Sequence, residues 1–147
     1  MILRSYQQEC VDKILWSFSL DGNSLVSLPT GSGKSLVIAE VVNRLQAPVI
    51  IFQPTKEILE QNMAKLISIV GKDLVGVYSA SMKSRNIKKF TFATIGSVYR
   101  KPEEFSGFKM IIIDEAHLLN QKKQGSMYVK FLKEIGSPKC IGLTATP

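Results

Sequence analysis

The chain has 147 residues, of which 45% are hydrophobic and 21% charged, and its formal net charge is +7. This length suits one domain with a sizeable core, and the composition excludes the disordered and fibrous classes. The first thirty residues hold no secretory leader, and nowhere is there a run of about 20 apolar residues that could span a bilayer. We therefore expect a cytoplasmic protein without a membrane partner.

Apolar residues at every fourth position open the chain. They are Tyr6, Cys10, Ile14 and Phe18, with Val11 and Leu15 beside them. This spacing predicts an amphipathic helix that ends near Asp21-Gly22-Asn23. The two cysteines, Cys10 and Cys140, have no second thiol or histidine at metal-ligand spacing, so we interpret both as buried thiols rather than as a disulfide or a zinc site.

Short apolar runs of strand length alternate with helical patterns in the rest of the chain. The runs are Leu25–Leu28, Pro48–Phe52, Leu74–Val77, Phe90–Thr94, Met110–Ile113 and Cys140–Leu143. The helical patterns are Lys34–Leu45, Lys56–Val70 and Ser126–Ile135. Most runs are apolar at consecutive residues, as in strands that are buried on both faces. The order predicts an α/β fold, a parallel sheet with helices on both faces, formed by one domain over residues 1–147.

A glycine-rich stretch, LPTGSGKS at residues 28–35, lies between a predicted strand and a predicted helix. Gly31 and Gly33 allow successive backbone amides to turn inward around a phosphate, and the helix that follows adds its positive end. Lys34 would then reach the outer phosphates, and the Ser35 hydroxyl would bind a magnesium ion between them. A strict P-loop begins with glycine where this chain has Leu28. The alternative is an ordinary glycine-rich turn that opens a helix.

The predicted strand Met110–Ile113 ends in the sequence DEAH, residues 114–117. Ligands of doubly wound sheets gather beyond the carboxyl ends of the strands, so these carboxylates should face the phosphate loop. Asp114 is placed to hold magnesium, and Glu115 to polarise a water that attacks the terminal phosphate. An Asp-Glu pair alone would more often be a solvated turn, and the phosphate loop upstream favours the catalytic interpretation.

The segment from Leu74 to Pro102 has no acidic residue. Its basic residues are Lys83, Arg85, Lys88, Lys89, Arg100 and Lys101. Such a segment favours a polyanionic partner, although a solvated basic face would have the same composition.

Four further motifs occur in an order and spacing that carry a family resemblance. Arg4-Ser5-Tyr6-Gln7 resembles a Q-type adenine motif, PTKEILEQ at residues 54–61 resembles motif Ia, FATIGSVYR at residues 92–100 resembles motif Ib, and Thr144-Ala145-Thr146 resembles motif III. Together with the phosphate loop and DEAH they resemble the first RecA-like, ATP-binding domain of a superfamily 2 helicase of the DEAD/DEAH-box kind. The opening LRSYQQECVD and LPTGSGKSLVIAE are especially similar to RadD-type helicases and to the helicase subunits of restriction systems.

This resemblance implies a role for each matching residue, with ATP and Mg²⁺ as cofactors. The implied adenine contacts are Arg4 and Gln7. The implied phosphate contacts are Pro29, Thr30, Gly31, Ser32, Gly33, Lys34 and Ser35. The implied contacts to a DNA or RNA backbone are Thr55, Lys56 and Thr94, and the residues implied to couple the two sites are His117, Thr144 and Thr146. Lys56 stands where arginine is common, which keeps the charge and loses the bidentate fork.

Superfamily 2 motors hydrolyse ATP between two RecA-like domains, and the second domain supplies arginine fingers. We see no second domain in this sequence, so we expect these residues alone to bind nucleotide, to turn it over slowly and to unwind little or nothing. One alternative is a nucleotide- and nucleic-acid-binding module without motor activity, against which Glu115 argues. Another is a P-loop enzyme such as a kinase, which would leave Thr144-Ala145-Thr146 and PTKEILEQ unexplained.

Overall fold

The computed structural model describes residues 2–20, 22–29 and 33–145. In this part of the chain the helices are α1 (Ser5–Ser19), α2 (Lys34–Leu45), α3 (Lys56–Val70), α4 (Ile95–Val98) and α5 (Lys122–Glu134). The strands are β1 (Ser24–Leu28), β2 (Val49–Phe52), β3 (Val75–Ser79), β4 (Ser84–Asn86), β5 (Phe90–Ala93), β6 (Met110–Ile113) and β7 (Lys139–Ala145). The site predictions for Thr30, Gly31, Ser32 and Thr146 lie outside the described residues.

These strands form one sheet in the order β1-β7-β6-β2-β5-β3-β4. Every neighbouring pair is parallel except β3 and β4, which are antiparallel. In the centre of the sheet the last residues of β2, β5 and β6, which are Phe52, Ala93 and Ile113, are register partners. The segments that follow these three strands therefore leave the sheet at the same edge.

Two hydrophobic clusters lie on opposite faces of the sheet, and strand β2 contributes to both. Val49 and Ile51 pack in a cluster with residues of α1, α2 and α3. Ile50 and Phe52 pack in a second cluster with residues of α4 and α5. Because successive side chains of a strand point to opposite faces, helices cover both sides of the sheet, as predicted. The Phe52 ring makes edge-to-face contacts with two aromatic rings of α5, at 5.2 and 5.5 Å between centroids.

Several predicted elements are confirmed at both ends. Helix α2 and helix α3 have the predicted bounds, and so does strand β6. Helix α1 ends at Ser19, close to the predicted turn, and Cys10 and Cys140 are both free and buried, as expected. None of the helices among the described residues has the length and apolar character of a membrane span.

Other elements differ from their predictions. Helix α5 begins at Lys122, four residues before the predicted start. The prediction missed this first turn because its residues are polar and give no apolar periodicity. Strand β3 begins at Val75, since Leu74 closes a short 3-10 turn. The short helix α4 and the strand β4 were not predicted, and β4 makes the sheet mixed at this edge. Its three residues Ser84–Asn86 are polar and largely exposed, so they carry no strand pattern.

Candidate functional site

The first part of the site is the turn between β1 and α2. Gly33 precedes the first residue of α2 with φ 71° and ψ 53°, a left-handed conformation that favours glycine. A Cβ atom at this position would also overlap the side-chain amide of Gln7. The residue at the N-cap, Gly33, has no side chain with which to cap the helix, so it leaves the first amides of α2 open to an anion at this end. Pro29, at the other described end of the turn, is exposed.

Lys34, the first residue of α2, lies between the two carboxylates of the acidic motif. Its Nζ atom is 2.8 Å from Oδ1 of Asp114 and also contacts Oε1 of Glu115. Asp114 follows the last residue of β6, and its side chain has no exposed surface. Burial raises the pKa of the Asp114 carboxyl, and the Lys34 ammonium opposes that rise. Burial lowers the pKa of Lys34, but its hydrogen bonds to both carboxylates outweigh this and hold the pKa above its ordinary value.

A buried amide network joins Ser35 to Asp114. The Ser35 hydroxyl donates to Oδ1 of Asn62 at 2.5 Å, and Nδ2 of Asn62 donates to Oδ2 of Asp114 at 3.3 Å and to Oε1 of Gln53 at 2.7 Å. Asn62 and Gln53 are 3% and 2% exposed. The two predicted magnesium ligands, Ser35 and Asp114, are therefore held by the same side chain.

Hydroxyl and carboxylate oxygens suit a hard cation such as Mg²⁺, so the donor set fits the predicted metal. Within residues 2–20, 22–29 and 33–145, no three histidine, cysteine, aspartate or glutamate side chains are grouped as a metal cage. Magnesium is commonly held by one or two protein oxygens, with water and substrate phosphates completing its shell. Two protein ligands are consistent with that mode of binding.

Glu115 has an unusual backbone for a residue with a side chain, with φ 56° and ψ 49°. Its amide donates to Oδ1 of Asp114 at 2.9 Å, which helps to hold this conformation. The other carboxylate oxygen, Oε2, lies 3.4 Å from Nδ1 of His117. Nδ1 of His117 is in turn 3.4 Å from the hydroxyl oxygen of Thr144, near the end of β7. The structure thus brings two of the three predicted coupling residues together beside Glu115, and strained backbones of this kind cluster at functional sites.

The predicted adenine contacts lie at the start of α1. Gln7 is buried, and its Oε1 accepts a hydrogen bond from the backbone amide of Arg4 at 2.9 Å, whereas Arg4 itself is exposed. Gln7 also borders a cleft of about 480 Å³ that contains Gly33, Lys34 and Ser35. In this arrangement one end of the Gln7 amide supports the helix start, and the side chain lies next to the candidate phosphate site.

The three predicted nucleic-acid contacts lie at the edge of the sheet where β2 and β5 end. Thr55 precedes α3, and its hydroxyl oxygen accepts from the backbone amide of Ile58 at 3.2 Å, as an ordinary helix cap does. Lys56 is exposed and lies 3.9 Å from Glu60. Thr94 follows β5 and is half-buried. Thr55 and Thr94 thus emerge from neighbouring parallel strands, while Thr55 combines the predicted position with a structural role.

Several polar residues of this edge were not predicted. Ser79 and Ser97 are 3.2 and 3.0 Å from the Thr94 hydroxyl. They border a groove of about 700 Å³, and none of the described residues that line it is a carboxylate. Its basic residues are Lys83, Arg85, Arg100 and Lys101. The acid-free segment indicated the charge of this groove, but the shape of the groove depends on the pairing of β3 with β4.

The sequence also provided no prediction for Gln53 and Asn62, the two amides of the network beside Asp114.

Comparison with known protein families shows to which family this chain belongs. The model of the family described as "Type III restriction enzyme, res subunit" matches residues 1–147. The chain belongs to this family. The resemblance to the first RecA-like domain of superfamily 2 helicases is thereby confirmed.

Curated relatives carry helicase or translocase names. QP509L of African swine fever virus, whose assigned name is that of an ATP-dependent RNA helicase, is 30% identical over 152 residues, which cover 99% of this chain and 29% of the relative. "DNA 3'-5' translocase XPB2" of Sulfurisphaera tokodaii is 31% identical over 146 residues, which cover 99% of this chain and 31% of the relative. The chain thus spans less than a third of either protein.

Solved structures of helicases share the fold. The UvsW helicase of bacteriophage T4 superposes with a TM-score of 0.77 at 18% identity, over 98% of this chain and 52% of UvsW. The type ISP restriction-modification enzyme LlaGI, solved with a DNA substrate mimic, superposes with a TM-score of 0.69 at 19% identity, over 100% of this chain and 18% of the enzyme. These likenesses establish the RecA-like α/β fold.

Proposed function

We propose that the chain is the ATP- and Mg²⁺-binding motor domain of a DNA or RNA helicase or translocase. Joined to a second RecA-like domain, it would hydrolyse ATP in a way that is coupled to nucleic-acid binding. The observation that carries this proposal is the position of Lys34. As the first residue of α2, it directs its ammonium at Asp114 and Glu115, two carboxylates that follow the interior strand β6.

Each of these residues has a task in nucleotide hydrolysis that suits its surroundings. Lys34, kept cationic by its two carboxylate partners, would hold the outer phosphates of ATP, together with the first amides of α2. The buried Asp114 and the Ser35 hydroxyl would hold Mg²⁺, which supplies charge neutralisation between the phosphates when bound. Glu115, which is partly exposed, would take the proton of the attacking water.

The contact between Lys34 and Glu115 implies an order of events. Oε1 of Glu115 is occupied by the Lys34 ammonium, so this oxygen must be released before it can accept a hydrogen bond from the attacking water. Phosphate oxygens compete for the same ammonium, and their binding would draw Lys34 away from Glu115. Nucleotide binding would thereby activate the base as well as supply the substrate.

The proposed track is a DNA or RNA backbone at the edge formed by Thr55, Lys56 and Thr94. Hydroxyls, amides and lysine suit contacts to phosphates that do not depend on base sequence. The basic groove beside Thr94 supports the same polyanionic partner. The names of the relatives include both an RNA helicase and a DNA translocase, so both nucleic acids belong in the test.

A second RecA-like domain is the proposed partner for full activity. Arginine fingers are worth roughly 10³ to 10⁵ in rate, so the 147 residues alone should bind nucleotide and hydrolyse it slowly. The second candidate function, a binding module without motor activity, is less favoured because it does not require the carboxylate of Glu115 beside Lys34 and His117.

The test is ATP turnover by the chain and by Glu115→Gln, with and without single- and double-stranded DNA and RNA, alongside Mg²⁺-dependent ATP binding. Slow turnover that responds to a nucleic acid and disappears in the variant supports the motor domain. ATP binding with turnover that neither the variant nor any nucleic acid changes would favour the binding module.

A further inference from the structure

Helix α3 has a polar residue in the middle of its buried side. The buried residues of this helix are Leu59, Asn62 and Leu66, at the spacing of a stripe that faces the core. A leucine at the central position would contribute apolar burial, whereas an amide there costs free energy unless it is hydrogen-bonded. The hydrogen bonds of the Asn62 side chain therefore explain why asparagine can occupy this buried position.

Those contacts use both ends of the Asn62 amide. The oxygen accepts from the Ser35 hydroxyl, and the nitrogen donates to Gln53 and to Asp114. The orientation of the amide follows from its partners, because an ionised carboxylate can only accept. Gln53 is fixed by its own bond to the carbonyl oxygen of Phe52 at 3.3 Å. One side chain of α3 thus touches the start of α2 and the residues that follow β2 and β6.

We propose that Asn62 is a positioning residue for the magnesium site, holding the Ser35 hydroxyl and the Asp114 carboxylate in the arrangement that binds the cation. This rests on the proposed function, since it takes Ser35 and Asp114 as the ligands. The Ser35 proton is directed at Asn62, which leaves the lone pairs of that oxygen free to face a cation. The bond to Oδ2 of Asp114 fixes the second ligand, whose Oδ1 is already held by Lys34 and by the Glu115 amide.

Without this amide the two ligands lose their common support. The Ser35 hydroxyl can then rotate and donate elsewhere, and among the described residues the carboxylate of Asp114 keeps contacts on Oδ1 alone. Residues that orient metal ligands in this way typically change metal affinity or activity by about 10- to 100-fold when they are replaced. We expect a loss of that size in Mg²⁺ affinity, and no comparable loss in the affinity for nucleotide without metal.

The experiment compares Asn62→Leu and Asn62→Ala with the wild-type chain. Leucine has a similar size and preserves the apolar stripe, and alanine guards against a leucine that fits badly. A fluorescent ADP analogue is titrated in EDTA, then with increasing Mg²⁺, and unfolding by urea is measured for each variant. Leu59→Ala is the matched control, because it removes packing from the same buried stripe and touches none of the hydrogen bonds.

The expected result is that both Asn62 variants need about 10- to 100-fold more Mg²⁺, while their metal-free ADP affinity stays within about twofold of wild type. Leu59→Ala should lose stability and keep its Mg²⁺ affinity. Unchanged Mg²⁺ affinity in the Asn62 variants, or an equal loss with and without metal, would overturn the positioning role while leaving the proposed function in place. If wild-type ADP binding does not respond to Mg²⁺ at all, the proposed function itself is wrong.

Discussion

The Nζ atom of Lys34 lies 2.8 Å from Oδ1 of Asp114, an aspartate with no exposed side-chain surface. The Lys34 ammonium is thus the main group that stabilises the buried negative charge of Asp114. Removing one partner of a buried ion pair lowers the free energy of unfolding, because the remaining charge is left without a counter-ion and without water. The pair therefore contributes to folding as well as to the proposed chemistry.

Lys34→Met should destabilise the chain in a pH-dependent way. The raised pKa of Asp114 means that the folded state binds this proton more tightly than the unfolded chain, so stability from this group is lost as the pH rises above its ordinary value of 3.8. Removing Lys34 raises that pKa further. The difference in unfolding free energy between wild type and variant should grow as the pH rises above 3.8 and reach about 2–3 kcal/mol at neutral pH.

Urea unfolding at several pH values measures this difference. The control is Lys34→Met combined with Asp114→Asn, in which the buried carboxylate of residue 114 is gone and the extra pH dependence should disappear. A destabilisation of Lys34→Met that is the same at every pH would show that the ion pair is not its cause.

Gly33→Ala should cost about 1–2 kcal/mol of unfolding free energy, since alanine is strained at a φ of 71° and its Cβ meets the Gln7 amide. Gly96→Ala in α4 is the matched control, because a Cβ there has no neighbour within 4 Å and alanine favours a helix. We expect the control to be neutral or slightly stabilising in the same denaturation assay. Equal effects at both glycines would contradict the structural explanation.

Glu115→Gly should be more stable than Glu115→Ala by about 1 kcal/mol, because only glycine adopts the left-handed backbone of this position without strain. Both variants lose the same carboxylate and the same contact with Lys34, so the comparison isolates the backbone. Both should also be equally inactive in ATP turnover. If the alanine variant is as stable as the glycine variant, residue 115 carries no backbone strain.

Lys56→Ala should weaken binding to single-stranded DNA or RNA oligonucleotides and reduce the slope of log affinity against log salt by about 1. Lys56 is the first residue of α3, at the edge where β2 and β5 end. Lys72 lies just beyond the other end of the helix and gives a control with the same change of charge. An equal effect of Lys72→Ala would mean that net charge, rather than the proposed track, determines binding.

Elements with strong local signals were predicted from the sequence with accurate bounds. Helix α3 begins after Thr55, which caps it, and ends just before Gly71, and both boundary residues are of the expected types. Strand β6 is a continuous apolar run that ends at a charged pair. In these cases the local pattern and the tertiary structure agree.

Long-range relationships could not be predicted in the same way. Strand β4 has no apolar pattern, and it exists because it pairs with β3. Asn62 looks from the sequence like a polar residue next to motif Ia. Only the packing of α3 against α2 and the end of β6 places it beside Ser35 and Asp114. The motifs predicted that Lys34 and the acidic pair would share a site, but not that they would be bonded to each other.

Strand β4 lies at one edge of the sheet, where a strand of a second molecule could pair. Sheet edges carry unpaired amides and carbonyls that can recruit a strand from another molecule. Here the edge is three residues long, with the exposed Arg85 at its centre and Lys83 immediately before it. A second copy that paired with this edge in register would bring like charges together. The few backbone hydrogen bonds of a three-residue edge would not offset that repulsion. The same basic segment that suits a polyanion thus protects this side of the sheet from aggregation.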